Sequence, residues 1–179
     1  MRQRLLSVLL AVAALFSSGV ANAQVTSTQD INLSATVTSY CTINGAGGAA
    51  TAVNQTIPVT AAGAVNTTPI VSTIASVACN NSGTIVAASQ SGGVRTVAAA
   101  APGATNIIDY TASAVFGTGT SNLNTATVAT AAGVETGSTG TITQAATGNL
   151  VVTVTPQTPG LPLQPGSYSD ILRVTLTPN

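Results

Sequence analysis

The chain has 179 residues, of which 45% are hydrophobic, 3% aromatic and only 4% charged, and it contains no histidine. This length suits one domain with a sizeable core, whereas so few charges are unusual for a freely soluble monomer, whose surface is about a quarter to a third charged. Only four basic residues balance four acidic ones, which excludes nucleic acid as a partner because phosphate binding requires clustered lysines and arginines.

The N-terminal segment, residues 1–23, has the three parts of a secretory signal peptide. Two arginines precede an apolar run at residues 5–16, and an Ala-Asn-Ala site follows at residues 21–23. This order predicts cleavage after that site and a mature domain of residues 24–179. The apolar run is shorter than the ~20 residues that a transmembrane helix needs, so we expect no membrane span after signal cleavage.

Polar and apolar residues alternate in the first part of the mature chain, with a period of two. The pattern predicts a strand with one buried face over residues 31–43. A glycine-rich turn follows, and the alternation does not fix a strand register in residues 44–69. The odd positions of the predicted strand are Ile31, Leu33, Ala35, Val37, Ser39, Cys41 and Ile43.

The two cysteines, Cys41 and Cys79, both lie in the part predicted to be exported. Oxidation is the default for exported cysteines, so we expect one disulfide. The chain has no histidine and no Cys-x-x-Cys pair, which argues against a zinc site.

Further strands are predicted along the rest of the chain. Residues 70–79 and 84–89 alternate on either side of an Asn-Asn-Ser-Gly turn, which predicts a hairpin. Residues 106–116 contain most of the large side chains and predict a central core strand. The registers in residues 118–148 stay open, and the last strand, residues 167–177, places three apolar side chains on one face: Leu172, Val174 and Leu176.

These elements predict the fold class. Several short strands separated by glycine and proline turns, with no apolar period of 3.6, indicate an all-β protein. The expected architecture is an antiparallel immunoglobulin-like β-sandwich.

Residues that could perform catalysis are scarce. Serines and threonines are abundant, but a hydroxyl nucleophile needs a base, and the mature chain has no histidine, no lysine and one glutamate. Its two arginines and four carboxylates give a net charge of minus two, and no phosphate-binding glycine motif occurs. We therefore expect no enzyme activity, no cofactor and no metal. The four carboxylates, each isolated in sequence, are Asp30, Asp109, Glu135 and Asp170.

Four short motifs together resemble the spore coat protein U domain family, which includes archaic chaperone-usher pilus subunits. The first is the opening strand at residues 30–37, which leads to Tyr-Cys-Thr-Ile at residues 40–43. The most specific is Pro-Gly-Ser-Tyr-Ser-Asp at residues 165–170, which is similar to that family's closing PGxYxD turn. The second-cysteine strand at residues 77–80 and the tyrosine segment at residues 109–112 complete the resemblance.

The resemblance implies a sandwich that lacks its last strand and is completed by a donated one. A periplasmic chaperone would first cover the groove left by the missing strand. At an outer-membrane usher, residues 24–37 of a neighbouring subunit would then replace the chaperone. The product would be a homopolymeric fimbrium on the surface of a Gram-negative bacterium, with a role in adhesion or biofilm formation. The donated side chains would be Ile31, Leu33, Ala35 and Val37, and the groove strand would carry Tyr168, Leu172, Val174 and Leu176.

The sequence is compatible with more than one role for these residues. Residues 24–37 would equally serve as the domain's own first strand, and the subunit's place as shaft, minor subunit or tip is open. A non-polymerising secreted coat protein is one alternative function. A carbohydrate-binding sandwich is another, although sugar platforms need exposed aromatic rings and the mature chain offers few. These are Tyr40, Tyr110, Phe116 and Tyr168.

Overall fold

The structure is a computed structural model that describes residues 27–45, 47, 52–127 and 133–179. The predicted signal peptide, residues 1–23, lies outside the described residues, as do residues 24–26 of the candidate donor segment. The structure divides into two units, residues 1–36 and residues 37–179.

The larger unit contains eleven strands within its described residues, joined by loops and by a single 3-10 turn at Thr125–Thr127. No helix in the described part of the chain is long and apolar enough to cross a membrane. The strands are β1 (Cys41–Thr42), β2 (Ile70–Cys79), β3 (Gly83–Ser89), β4 (Val94–Arg95), β5 (Ile107–Ile108), β6 (Tyr110–Phe116), β7 (Gly119–Asn124), β8 (Glu135–Thr136), β9 (Gly140–Ile142), β10 (Ala146–Pro156) and β11 (Leu172–Pro178).

Two main antiparallel sheets form the fold. The first has the order β1-β2-β10-β6-β7. The second has the order β11-β3-β8, and β9 pairs with β3 on the same side as β8. A small sheet of β4 and β5 stands apart. The prediction of an all-β, antiparallel sandwich is confirmed.

The core lies between the inner faces of the two main sheets. Alternate residues of β3 are fully buried, and the same is true of alternate residues along β6, which lies between β10 and β7. The prediction of a central core strand in residues 106–116 is therefore confirmed for β6. The main cluster consists of Val77, Cys79, Ile85, Ala87, Ala114, Phe116, Ile142, Leu150 and Val152.

A β-bulge in β2 changes which residues face the core. Ala75 and Ser76 lie opposite one residue of β10, because Val77 pairs with Gly148 while Ile74 pairs with Leu150. Ser76 has a positive φ of 56°. As a bulge adds one residue to a strand, it reverses the inward alternation. Before the bulge the more buried positions are even-numbered, and after it Val77 and Cys79 are buried.

The predicted hairpin of residues 70–79 and 84–89 is wrong. Both strands exist, but β2 pairs with β1 and β10, whereas β3 pairs with β11, β8 and β9. The turn between them therefore carries the chain from one sheet to the other. An Asn-Ser-Gly turn is compatible with both outcomes, since it reverses the chain without choosing a partner strand.

The predicted strand over residues 31–43 is reduced to Cys41–Thr42. Residues 27–40 have no strand assignment, and Ile31 and Leu33 are 79% and 90% exposed. Alternation in sequence shows which face a strand would bury, but a strand also needs a partner for its backbone groups. The prediction of a buried face is therefore wrong for Ile31, Leu33 and Val37 in the single chain.

The structure also assigns the regions whose registers the sequence left open. In residues 44–69, the described part contains one isolated bridge, between Val59 and Val65. In residues 118–148, β7, β8, β9 and the start of β10 complete the sandwich, and residues 128–132 lie outside the described part.

Candidate functional site

The last strand, β11, forms one edge of the second sheet. Among the described strands it pairs with β3 alone, over the full length from Leu172 to Pro178. No strand among the described residues pairs with the backbone N–H and C=O groups of its other edge. Natural edge strands are usually protected by charges, prolines or bulges. β11 has one charged residue, Arg173, and no proline before Pro178.

The inward-facing side chains of β11 are only half-buried. Leu172, Val174 and Leu176 alternate with exposed residues, so their face is the one directed to the core, as predicted. On the neighbouring strand β3, the corresponding inner residues Ile85 and Ala87 are completely buried. The core is therefore covered over β3 and partly uncovered over β11.

The edge of the opposite sheet is open on the same side of the sandwich. The short strand β1 covers β2 only at Ala78 and Cys79, which leaves the edge of β2 from Ile70 to Ala75 without a described partner strand. Because β1 also contacts β11, the two open edges adjoin. We call the space between them the open groove. Its half-buried apolar side chains are Ile74, Val154, Leu172, Val174 and Leu176.

The disulfide fixes one end of the open groove. Cys41 and Cys79 are bonded, with an S–S distance of 2.07 Å, and they are directly opposite each other in the β1–β2 register. The predicted disulfide is confirmed. Cys79 belongs to the core cluster, and Cys41 packs against it.

Tyr168 does not belong to the groove strand, so its assignment there is wrong. It precedes β11, and its hydroxyl lies 2.9 Å from the carbonyl oxygen of Gln164 and 3.2 Å from that of Thr105. A phenol that leaves water needs an acceptor for its O–H. Tyr168 therefore fastens two loops to each other instead of lining the open groove.

A hydrogen-bond network at the start of β11 connects the two sheets. Asp170 Oδ2 accepts from the hydroxyls of Ser89 and Tyr110, each at 2.6 Å. Its Oδ1 accepts from the backbone N–H of Ser91 at 3.0 Å and of Ile171 at 2.7 Å. Four bonds to one carboxylate hold the entry of β11 against β3 and β6. The PGxYxD motif includes Asp170, but the sequence does not indicate these partners.

Burial and the bond to Asp170 raise the pKa of Tyr110. Burial is the largest cause, since this tyrosine is only 2% exposed, and its bond to Asp170 and the negative charges of Asp170 and Glu135 act in the same direction. The bond to Ser89 lowers the pKa. Tyr110 therefore keeps its proton in the folded protein at pH values where an unfolded tyrosine, with a pKa of about 10, loses it.

We expect this difference to make the fold less stable at alkaline pH. The folded-state pKa is raised, so Tyr110 contributes its full stabilisation below pH ~10 and loses it above that value, at about 1.4 kcal/mol per pH unit. Urea unfolding at pH 8, 9, 10 and 11 should show a steeper decline for the native chain than for Tyr110→Phe. Parallel declines of the two proteins would contradict this assignment.

The other carboxylates occupy different positions. Asp109 accepts a hydrogen bond from Thr125 at 3.2 Å, and Asp30 is exposed. Glu135 is buried and pairs in register with Ser89. Its negative charge acts on Tyr110, as does that of Asp170. Within the described residues, no group of three or more histidine, cysteine, aspartate or glutamate side chains is placed to hold a metal ion.

Comparison of the chain with protein-family models, with curated proteins and with solved structures finds no match.

Proposed function

We propose that this chain is an exported structural subunit that polymerises into a surface fibre by donating its N-terminal segment to the open groove of the next copy. The observation that carries this proposal is the open edge of β11. The inward-facing apolar residues of this strand, Leu172, Val174 and Leu176, are only half-buried. An edge of this kind is a template for an added strand.

The N-terminal segment has the apolar side chains that would cover the open groove. Ile31, Leu33 and Ala35 alternate with polar residues, and all three are exposed. In an extended strand they span about 13 Å, the same length as Leu172 to Leu176. Each large apolar side chain that leaves water on insertion stabilises the complex by about 1.5–3 kcal/mol. Val37 continues the alternation beyond these three residues.

Backbone pairing would add to this stabilisation. The outer edge of β11 presents a row of N–H and C=O groups that a donated strand satisfies without any sequence requirement. Side chains at alternate positions then set the register, because a shift by one residue would place Asn32 and Ser34 in the apolar groove. A donor with a clean period of two therefore specifies one register.

Export and assembly follow from the proposed role. A groove with exposed apolar side chains would aggregate if left uncovered, so a periplasmic chaperone and an outer-membrane usher are the expected partners. The fibre would stand on the surface of a Gram-negative bacterium and support adhesion or biofilm formation. We propose a structural role without catalysis: the hydroxyls of Ser89 and Tyr110 are buried inside the sandwich, where both donate to Asp170 and hold the start of β11 in place.

The test compares the mature chain with and without residues 24–37. At high concentration the intact chain should form linear polymers, visible by electron microscopy and early-eluting in size-exclusion chromatography, whereas the truncated chain should stay monomeric. A synthetic peptide of residues 24–37 should raise the Tm of the truncated chain, because a ligand of the folded state stabilises it.

A control peptide with Ile31, Leu33 and Ala35 replaced by serine should leave that Tm unchanged. If the intact chain is a monomer with the same Tm as the truncated one, the sandwich is complete by itself. The polymerisation proposal would then give way to a non-polymerising coat protein or a carbohydrate-binding module.

A further inference from the structure

We infer that Asn80 sets the boundary between the donated and the retained parts of the N-terminal strand, so that donation ends at Val37 and Thr38 to Tyr40 stay with their own subunit. This inference rests on the proposed function and specifies its geometry. It assigns to Asn80, in the turn between β2 and β3, the role of a positioning residue.

The Asn80 side chain binds the segment before Cys41 in the way that a neighbouring strand would. Its Oδ1 accepts from the backbone N–H of Tyr40 at 2.8 Å, and its Nδ2 donates to the carbonyl oxygen of Thr38 at 2.8 Å. The backbone N–H of Asn80 also donates to the carbonyl oxygen of Tyr40 at 3.1 Å. One residue therefore makes three hydrogen bonds to residues 38–40. The adjacent Asn81 adds a weaker contact to Ser39, at 3.4 Å.

The residues that follow Tyr40 are also held to the domain. Cys41 is bonded to Cys79, and Cys41–Thr42 pairs with β2. To withdraw residues 38–40 for donation, a subunit would have to break all three bonds of Asn80 beside a covalent link. Val37, in contrast, is 80% exposed and is the first residue of the larger unit. The bonds of Asn80 thus begin one residue after Val37, the last of the alternating apolar residues of the candidate donor segment.

This boundary keeps the connection between neighbouring subunits short. If Ala35 is the last side chain inserted deeply and Thr38 the first residue retained, only Thr36 and Val37 span the junction, with Val37 at the mouth of the groove. Three residue steps of extended chain cover about 10 Å. A junction of this length limits the orientations that two consecutive subunits adopt, so Asn80 would set the axial spacing and stiffness of the fibre.

Asparagine is suited to this position because one amide supplies both an acceptor and a donor. Aspartate keeps the acceptor for Tyr40 N–H but has no donor for the carbonyl of Thr38, which it would repel. Alanine removes both side-chain bonds. The two variants, Asn80→Asp and Asn80→Ala, thus form a graded series at the same site.

The experiment measures fibres of the native mature chain, Asn80→Asp, Asn80→Ala and the control Asn66→Ala by electron microscopy. Asn66 is an exposed asparagine whose side chain accepts a local bond from Thr68 N–H. We expect all four to polymerise. In Asn80→Ala the Tyr40 carbonyl keeps its bond to the backbone N–H of residue 80, whereas residues 38 and 39 are freed. The axial repeat should therefore lengthen by up to about 7 Å, and the fibre should be more flexible. Asn80→Asp should show a smaller change and Asn66→Ala none.

Hydrogen exchange of the Tyr40 amide gives a second readout on the same proteins. It should accelerate at least tenfold in Asn80→Ala relative to the native chain and to Asn66→Ala. Native spacing and stiffness in Asn80→Ala fibres would overturn the boundary while leaving the fibre function intact. Absence of fibres from the native chain itself would overturn both.

Discussion

We expect the substitution Leu33→Asp to prevent fibre formation without destabilising the subunit. Leu33 is 90% exposed in the single chain, so the change costs the folded monomer little. After donation the same position would lie among the apolar side chains of the groove, because Arg173 lies on the opposite, exposed face of β11. An unpaired carboxylate there costs several kcal/mol. Because each 1.4 kcal/mol is a tenfold change, binding should weaken by a factor of roughly 100 or more. Size-exclusion chromatography and electron microscopy measure the loss.

The matched control is Ser34→Asp, which adds the same charge one residue away. Ser34 is also exposed, and in an extended donor strand it faces away from the groove. Fibres should therefore form with this variant at close to the native yield. Equal loss with both variants would show that the added charge, and not the buried position, decides assembly, and equal retention would remove Leu33 from the donor face.

The largest effect on stability is expected from Asp170→Ala. This change removes the acceptor of four hydrogen bonds and leaves the hydroxyls of Ser89 and Tyr110 without their partner. Each unsatisfied group away from water costs about 1–3 kcal/mol, so we expect the free energy of unfolding to fall by about 2–4 kcal/mol. Urea unfolding at neutral pH measures it.

Asp30→Ala serves as the control, since Asp30 is exposed, and its free energy of unfolding should match that of the native chain within about 0.5 kcal/mol. The double variant Tyr110→Phe with Asp170→Ala should lose less than the sum of the two single variants, because Tyr110 and Asp170 share one bond. Additive losses would mean that the two residues stabilise the fold independently.

The candidate site illustrates what could be predicted from sequence. The alternation of Leu172, Val174 and Leu176 identifies an inward face, and the structure confirms it. The same kind of alternation at Ile31 and Leu33 predicts a buried face that the single chain does not provide. Period two reports only which side chains would share a face.

Other features depended on contacts between distant residues. The sequence predicts a last strand over residues 167–177 that includes Tyr168, yet β11 begins at Leu172 and the Tyr168 hydroxyl binds the carbonyls of Gln164 and Thr105. The sequence did not indicate the hydrogen bonds of Asn80, because an asparagine in a turn already has a local explanation. Its bonds to Thr38 and Tyr40 join residues about forty positions apart in the chain.

The sequence by itself determined the fold class, the disulfide and most of the strands, because glycine and proline turns, the period of two and a single pair of cysteines are local or compositional facts. Only the tertiary structure decided how the strands pair. It placed β2 and β3 in different sheets, inserted a bulge at Ser76 and left the outer edge of β11 without a described partner. Strand pairing is a competition among distant segments for backbone hydrogen bonds and shared apolar area, and no local pattern records its outcome.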